Sequence, residues 1–466
     1  MRLFVSSPRV RKKPGSLFAV AIALATGTAM LSGVVAEPAQ AQREKKDRKK
    51  KDERPQYSEE FVAAFVPLQE ALNAEGADSA SLVGQIPGVV AVSQSPDEKF
   101  ATGGLVYNAG ARTQNRDIQL QGVELMLESG KAAPEEIGRF NFIGYQFTNA
   151  KGEFATSRQS LQRAMDANFS TGTIDKKGMR NLMSESFISE GRFAEGLDYL
   201  AQAIETIEDE GGEVEESWFR RGVGIGYNNE VVPQVYGIAG GWASNYPSPA
   251  NWRDAINIAR NLNEFEFPET LDLMRLSFRV NGIKEKYEFA DYVEAADPRR
   301  LPKEVKRVIE SAYERGLASR DDIFLADSLT TANGRIASDE AELPALESDA
   351  RAADAGLRTV MAAGDTFLSY SQYEKAEEFY NKVLGMAGVN RPVALTRLGI
   401  AQLELGKLDE ARASFAQVDG VRLPIGILWG AYADQLAAEA ATAAPAPVEA
   451  ETVAPEPVEA ETTATP

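Results

Sequence analysis

The residue types that invite a chemical reading gather between positions 206 and 252. TIEDEGGEVEES (206–217) crowds carboxylates that suggest a divalent cation, but their spacing does not match an EF-hand loop, and a solvated turn explains them as well. Gly222-Val223-Gly224-Ile225-Gly226 has the look of a phosphate loop. No strand pattern precedes it and the Walker lysine is missing, so that chemistry is rejected. Tyr227, Tyr236, Trp242, Tyr246 and Trp252 then supply rings on which a sugar could stack. The same aromatics, interleaved with glycines, equally suit tight packing between helices.

Composition narrows the reactions further. The 466-residue chain has no Cys and no His. Disulfides, thiolate zinc sites, cysteine nucleophiles, imidazole bases and histidine metal ligands are therefore excluded. Carboxylate, lysine and tyrosine chemistry remains, with no motif behind it. The expectation is a protein that is not an enzyme, with no cofactor, no metal site and no catalytic residue. The alternative is an α-helical carbohydrate-active protein, muralytic or polysaccharide-processing, that uses two facing carboxylates and aromatic stacking.

The elements that must position these residues read as helices throughout. Apolar residues recur three and four apart, as in Tyr199-Leu200-Ala203-Ile204 and Val305-Val308-Ile309-Ala312. Segments of about a dozen residues alternate with short turns rich in Gly, Pro or Asp, and Pro302 suits the first turn of a helix. In LGIAQLELGKLDEARASF (398–415), Gly399 lies twelve residues before Ala411, Gly406 sits in the turn between them, and Phe415 follows four later. One unit upstream the skeleton returns as Gly364, Tyr373, Ala376 and Tyr380, and both the Gly364–Gly399 and Ala376–Ala411 steps are 35 residues. Two landmarks with one period identify a repeat. Small residues mark where the paired helices cross, and aromatic residues fill the space between pairs. Looser copies occur around Gly144, Gly191 and Trp218.

This pattern resembles the tetratricopeptide (TPR) repeat, a helix–turn–helix of 34 residues. The layout of the chain, with the phrase NYPSPANWRDAI (245–256), is similar to that of exported TPR proteins of sphingomonad-type alphaproteobacteria. The resemblance implies an all-α solenoid of stacked helical hairpins that binds a protein or peptide in a groove lined by the first helix of each pair. The positions it assigns to that groove include Asn141, Tyr145, Phe219, Arg220, Tyr227 and Arg397. At the fifth and ninth positions of successive first helices the sequence has Asn141/Tyr145, Asn181/Glu185, Phe219/Val223, Met361/Asp365 and Thr396/Ile400. None is lysine, which argues against a clamp for a C-terminal carboxylate.

The two ends complete the plan. Five basic residues before position 14, an apolar stretch from Leu17 to Val35 and the small-x-small sequence Ala39-Gln40-Ala41 predict a Sec-type signal peptide (1–41) cleaved after Ala41, with an uncleaved anchor as the alternative. A basic disordered linker (42–56), degenerate TPR-like repeats (57–345), a C-terminal TPR pair with a capping helix (346–435) and a disordered Ala/Pro/Glu-rich tail (436–466) are expected to follow. The expected location is the periplasm. Residues 1–41 and 43–54 each carry a net charge of +4, so a total of −19 leaves −27 for the rest. Such a body repels phosphate backbones, so nucleic acid is not an expected partner. The lysine-rich run at 43–54 is expected to make at most weak contact with an anionic membrane, and the expected partner is another envelope protein or a peptide.

Overall fold

The computed structural model describes residues 55–443. The expected signal peptide, its cleavage site, the basic run at 43–54 and the tail from 444 lie outside the described residues. The helices belong to one compact unit beginning at Tyr57. Among the described residues there is no strand, and no helix is long and apolar enough to cross a membrane.

Three helices open the unit: α1 (Glu59–Asn73), α2 (Ser79–Leu82) and α3 (Ile86–Val92). Four antiparallel pairs follow: α4 (Pro96–Arg112) with α5 (Arg116–Glu128), α6 (Pro134–Ala150) with α7 (Phe154–Asp166), α8 (Lys176–Ser189) with α9 (Phe193–Asp209), and α10 (Glu216–Asn228) with α11 (Gln234–Asn245). The middle of the stack is α12 (Pro249–Asn261), α13 (Phe267–Arg279), α14 (Lys286–Ala296), α15 (Pro302–Glu314) and the 29-residue α16 (Ile323–Arg351). Two further pairs, α17 (Leu357–Ser369) with α18 (Tyr373–Leu384) and α19 (Arg391–Glu404) with α20 (Leu408–Phe415), lead into α21 (Leu423–Ala443). The protein is an all-α solenoid built from consecutive helical pairs. The division expected between 345 and 346 falls inside α16, and the last helix runs past 436, where the tail was expected to begin.

Local chemistry explains the starts and the turns. Ser58, Asn115, Asp175, Ser248, Asp322 and Asn390 each accept a hydrogen bond from a backbone N–H of the helix they cap. Several pairs share one turn: a residue with positive φ, followed by an N–H that reaches back five residues, as in Glu153 N to Thr148 O, Arg192 N to Phe187 O and Lys407 N to Gln402 O. This is the Schellman closure, and it favours glycine at the positive-φ position, which Gly152, Gly191 and Gly406 occupy. The α17–α18 turn has the same bond, Gln372 N to Phe367 O, but places Ser371 there at φ 59°.

The landmarks from the 35-residue echo are packing positions. A Cβ on Gly399 would lie 2.5 Å from the Phe415 ring, and one on Gly364 would lie 2.7 Å from the Tyr380 ring. Each aromatic therefore lies on the glycine of its own pair, and Phe415 also stacks on Trp429 of the next helix at 5.9 Å. Ala376 and Ala411 are fully buried, and Tyr373 packs at the edge of the same core.

The capping helix expected at the end of the 346–435 region is α21, and it returns to an earlier part of the chain. It packs on α20 and also on α11, α12 and α13, burying Leu428, Trp429 and Ala433. The second half of the stack thus closes on itself.

Candidate partner-binding groove

The first helices of the second half point their polar side chains inward, and a buried ion network uses them. Its hub is Asp272 of α13, which is fully buried. Its carboxylate accepts from Arg275 Nη1 at 2.7 Å, from Arg397 Nε at 3.1 Å and from Arg422 Nη2. Burial alone would raise the Asp272 carboxyl, but Arg397, Arg422 and Arg275 outweigh it and hold it down at about 2. Around the hub, Arg275 forks onto Glu304 through Nε and Nη2 at 2.8 and 2.7 Å, and Arg397 Nη1 alone reaches both Asp365 oxygens at 2.8 and 2.9 Å. Arg422 also reaches Glu269 at 2.9 Å, while Tyr292 and Tyr380 donate to Glu304 and Asp365. The network links α13, α15, α17, α19 and the turn before α21.

This decides where the expected groove residues stand. Arg397 is 3% exposed and ion-paired on two sides, so it lies in the network and not on an open face. Asn141 and Tyr145 are buried within α6; Asn141 donates to Ile137 O, and burial followed by the Glu185 charge pushes the Tyr145 hydroxyl up to about 12. Phe219 is also buried. Arg220 and Tyr227 are exposed on α10, where the Tyr227 hydroxyl accepts from Asn261. The structure does not bring these six together. The aromatic cluster likewise belongs to the core: Tyr236, Trp242 and Trp252 are buried, with their polar atoms bonded to Asn263, Glu216 and Gln435. Gly222, Gly224 and Gly226 lie inside α10, not in a loop.

An open surface lies instead on the second helices of the pairs. Between α9 and α11 on one side and α20 and α21 on the other runs a groove of about 650 Å³. Ile204, Phe219, Ile238, Phe415 and Val418 form its apolar floor. Glu205 and Glu208 of α9 and Asp434 of α21 stand along it, all exposed. Burial pushes the Glu208 carboxyl up, a hydrogen bond from Asn245 opposes this, and the Asp209, Asp434 and Glu205 charges push it further up. Arg412, the basic residue in the lining, is already held by Asp434 at 2.7 Å and Asp409 at 3.1 Å.

Of the six expected positions Phe219 alone lines this groove; sequence reasoning missed the rest of it because α9 and α21 are joined only by tertiary packing. One signal was present. Gly237 and Gly241 lie four apart on α11, and a Cβ on Gly237 would meet nothing within 4 Å, so internal packing does not require that glycine. Among the described residues, no group of three or more carboxylates is placed to hold a metal ion. No protein-family model and no curated protein matches the chain.

Proposed function

We propose that this protein is a non-enzymatic scaffold of the TPR type, exported to the bacterial cell envelope, that binds another protein or a peptide there. The observation that carries this reading is the open apolar groove between α9/α11 and α20/α21 in a stack whose inward polar side chains are engaged with one another. An apolar groove between helices is a common seat for a partner segment. The 35-residue echo and the glycine–aromatic crossings support the TPR assignment. The basic, apolar and small-residue order of the first 41 residues supports export.

The test is retrieval of the tagged full-length protein from envelope fractions after mild crosslinking. A specific partner, enriched over an unrelated periplasmic protein carrying the same tag, is the expected result. Two results would overturn the proposal: no partner above that control, or release of reducing ends from peptidoglycan or polysaccharide by the purified protein that Glu208→Gln abolishes. The second would favour the carbohydrate-active reading, with Glu208 as its acid.

A further inference from the structure

The groove has a shape and a charge that specify its occupant more closely. On α21 the lining residues Leu423, Ile427, Ala431, Asp434 and Ala438 fall three and four apart, so one stripe of that helix faces the groove. At 1.5 Å per residue the stripe is about 22 Å long, four turns of helix. A loop or a small molecule would not use that length; a second helix laid alongside would.

The glycines on the two walls divide into those that serve the chain and those that do not. On Gly240 a Cβ would lie 3.1 Å from Ala431, and on Gly426 it would lie 2.7 Å from Val418, so these two let α11, α20 and α21 approach. On Gly237 it would meet nothing, and on Gly430 nothing nearer than 3.8 Å. Both of the latter line the groove. A glycine inside a helix costs about 1 kcal/mol relative to alanine. At Gly237 no contact within the chain offsets that cost, but an open trough floor allows a visiting backbone to come close.

Charge selects among helices. Glu205, Glu208 and Asp434 are opposed in the lining by Arg412, whose guanidinium already serves two carboxylates of its own chain. An anionic lipid surface or an acidic peptide would meet repulsion here; lysines and arginines would meet Glu205 and Glu208, which have no cationic partner, beside Asp434, which Arg412 already holds.

We propose that this groove, formed by second helices of the pairs together with α21, docks a basic amphipathic helix of a partner protein. The partner's apolar stripe lies on Ile204, Ile238 and Ile427, and its Lys or Arg side chains meet Glu205 and Glu208 on the α9 wall, across from the Asp434–Arg412 pair. This assignment rests on the scaffold reading and narrows it to one face and one partner chemistry.

The experiment measures fluorescence anisotropy of a labelled 16-residue Leu–Lys amphipathic peptide titrated with the full chain. A Leu–Glu peptide of the same pattern and a scrambled Leu–Lys peptide are run beside it. Binding of the Leu–Lys helix at least tenfold tighter than either comparison peptide is expected, weakening as salt rises. Gly237→Leu, at an exposed position where a Cβ meets nothing within 4 Å, should weaken it tenfold or more while far-UV circular dichroism is unchanged and the thermal midpoint does not fall. The triple substitution Glu205→Lys, Glu208→Lys, Asp434→Lys should transfer preference to the Leu–Glu peptide. Equal binding of the three peptides, or unchanged affinity in Gly237→Leu, overturns the inference. So does a wild-type dimer in sedimentation that Gly237→Leu disperses, because the occupant is then a second copy. If Gly237→Leu still retrieves the envelope partner, this inference fails while the scaffold reading stands; if neither partner nor peptide binds, both fail.

Discussion

Replacing Asp272 by asparagine removes one charge from the most enclosed point of the protein and leaves the side-chain volume almost unchanged. Three guanidiniums, those of Arg275, Arg397 and Arg422, converge on this carboxylate, and none can move to water without opening α13, α19 or α21. The proton-linked part of its contribution follows from its depressed pKa. A carboxyl held at about 2 instead of 3.8 contributes about 2 kcal/mol at neutral pH. Breaking a buried ion pair by removing one partner typically costs about 3–5 kcal/mol, because the opposite charge stays buried. The expected loss is therefore about 2–5 kcal/mol, a large share of the stability of an ordinary domain.

Urea unfolding reads this loss by two probes. All four tryptophans, Trp218, Trp242, Trp252 and Trp429, lie from α10 onward, and the Trp429 indole donates to Asp272 O at 2.9 Å. Fluorescence therefore follows the closed half, while far-UV circular dichroism also follows α4–α9, which contact chiefly their neighbours in sequence. The Asp272→Asn fluorescence midpoint should fall by about 1 M or more, with the dichroism transition splitting behind it. The pH dependence has a definite sign. The folded pKa is depressed, so the stabilisation is present above about 3.8 and is lost as pH falls toward 2. Wild type should lose about 2 kcal/mol more than the variant across that window. A fluorescence midpoint shifted by less than about 0.3 M, or equal shifts in both probes, would refute the reasoning.

Gly399→Ala should destabilise the chain by about 1–3 kcal/mol, because its methyl meets the Phe415 ring, and adding Phe415→Leu should recover part of that loss in thermal melts. Ser371→Gly should stabilise by about 1 kcal/mol by relieving the left-handed backbone, despite losing an exposed hydrogen bond from Arg307; a lower urea midpoint would contradict this. The buried carboxylate of Glu98 accepts from the backbone N–H groups of Ser58, Gln94 and Ser95 at 2.8–3.0 Å, joining the starts of α1 and α4. Glu98→Ala should cost about 1–2 kcal/mol and speed amide exchange in α1 while leaving α17–α20 unchanged.

What the sequence reveals of this fold depends on distance along the chain. The crossing of paired helices is set by residues about a dozen apart, so Gly399 with Ala411, and their echo at Gly364 and Ala376, are readable as a spacing. Pro302 starting α15 and the helical character of 222–226 follow from equally local rules. The partners of Asp272 lie 125 and 150 residues away in Arg397 and Arg422, and no periodicity reports such a pairing. A faint trace exists: Asp272 and Arg275 interrupt the apolar run of α13, where a face buried all round should carry no charge unless it is paired. The groove positions assigned by resemblance failed to assemble for the same reason. Arg397 presumes an open inner face, and the network that takes it up is not written in any local pattern; Asn141 and Tyr145 are buried within α6, far along the chain from it.

That return also connects the network to the groove. Helix α21 supplies one whole wall of the trough, and three sets of bonds hold the helix or its leading turn: Arg422 to Asp272 and Glu269, Trp429 to Asp272 O, and Gln435 to the Trp252 indole at 2.8 Å. Buried ion pairs add little net stability compared with apolar packing, but they penalise every arrangement in which their partners are mismatched. In a solenoid whose helices could slide or splay at small cost, a hub that accepts three arginines from three directions fixes one register of α21 against α13. The wall of the groove inherits that register. The inner face, where a repeat protein would ordinarily receive its ligand, is thus spent on holding the outer face in shape, and the carboxylates that arrangement leaves without a cationic partner, Glu205 and Glu208, stand where a partner would meet them.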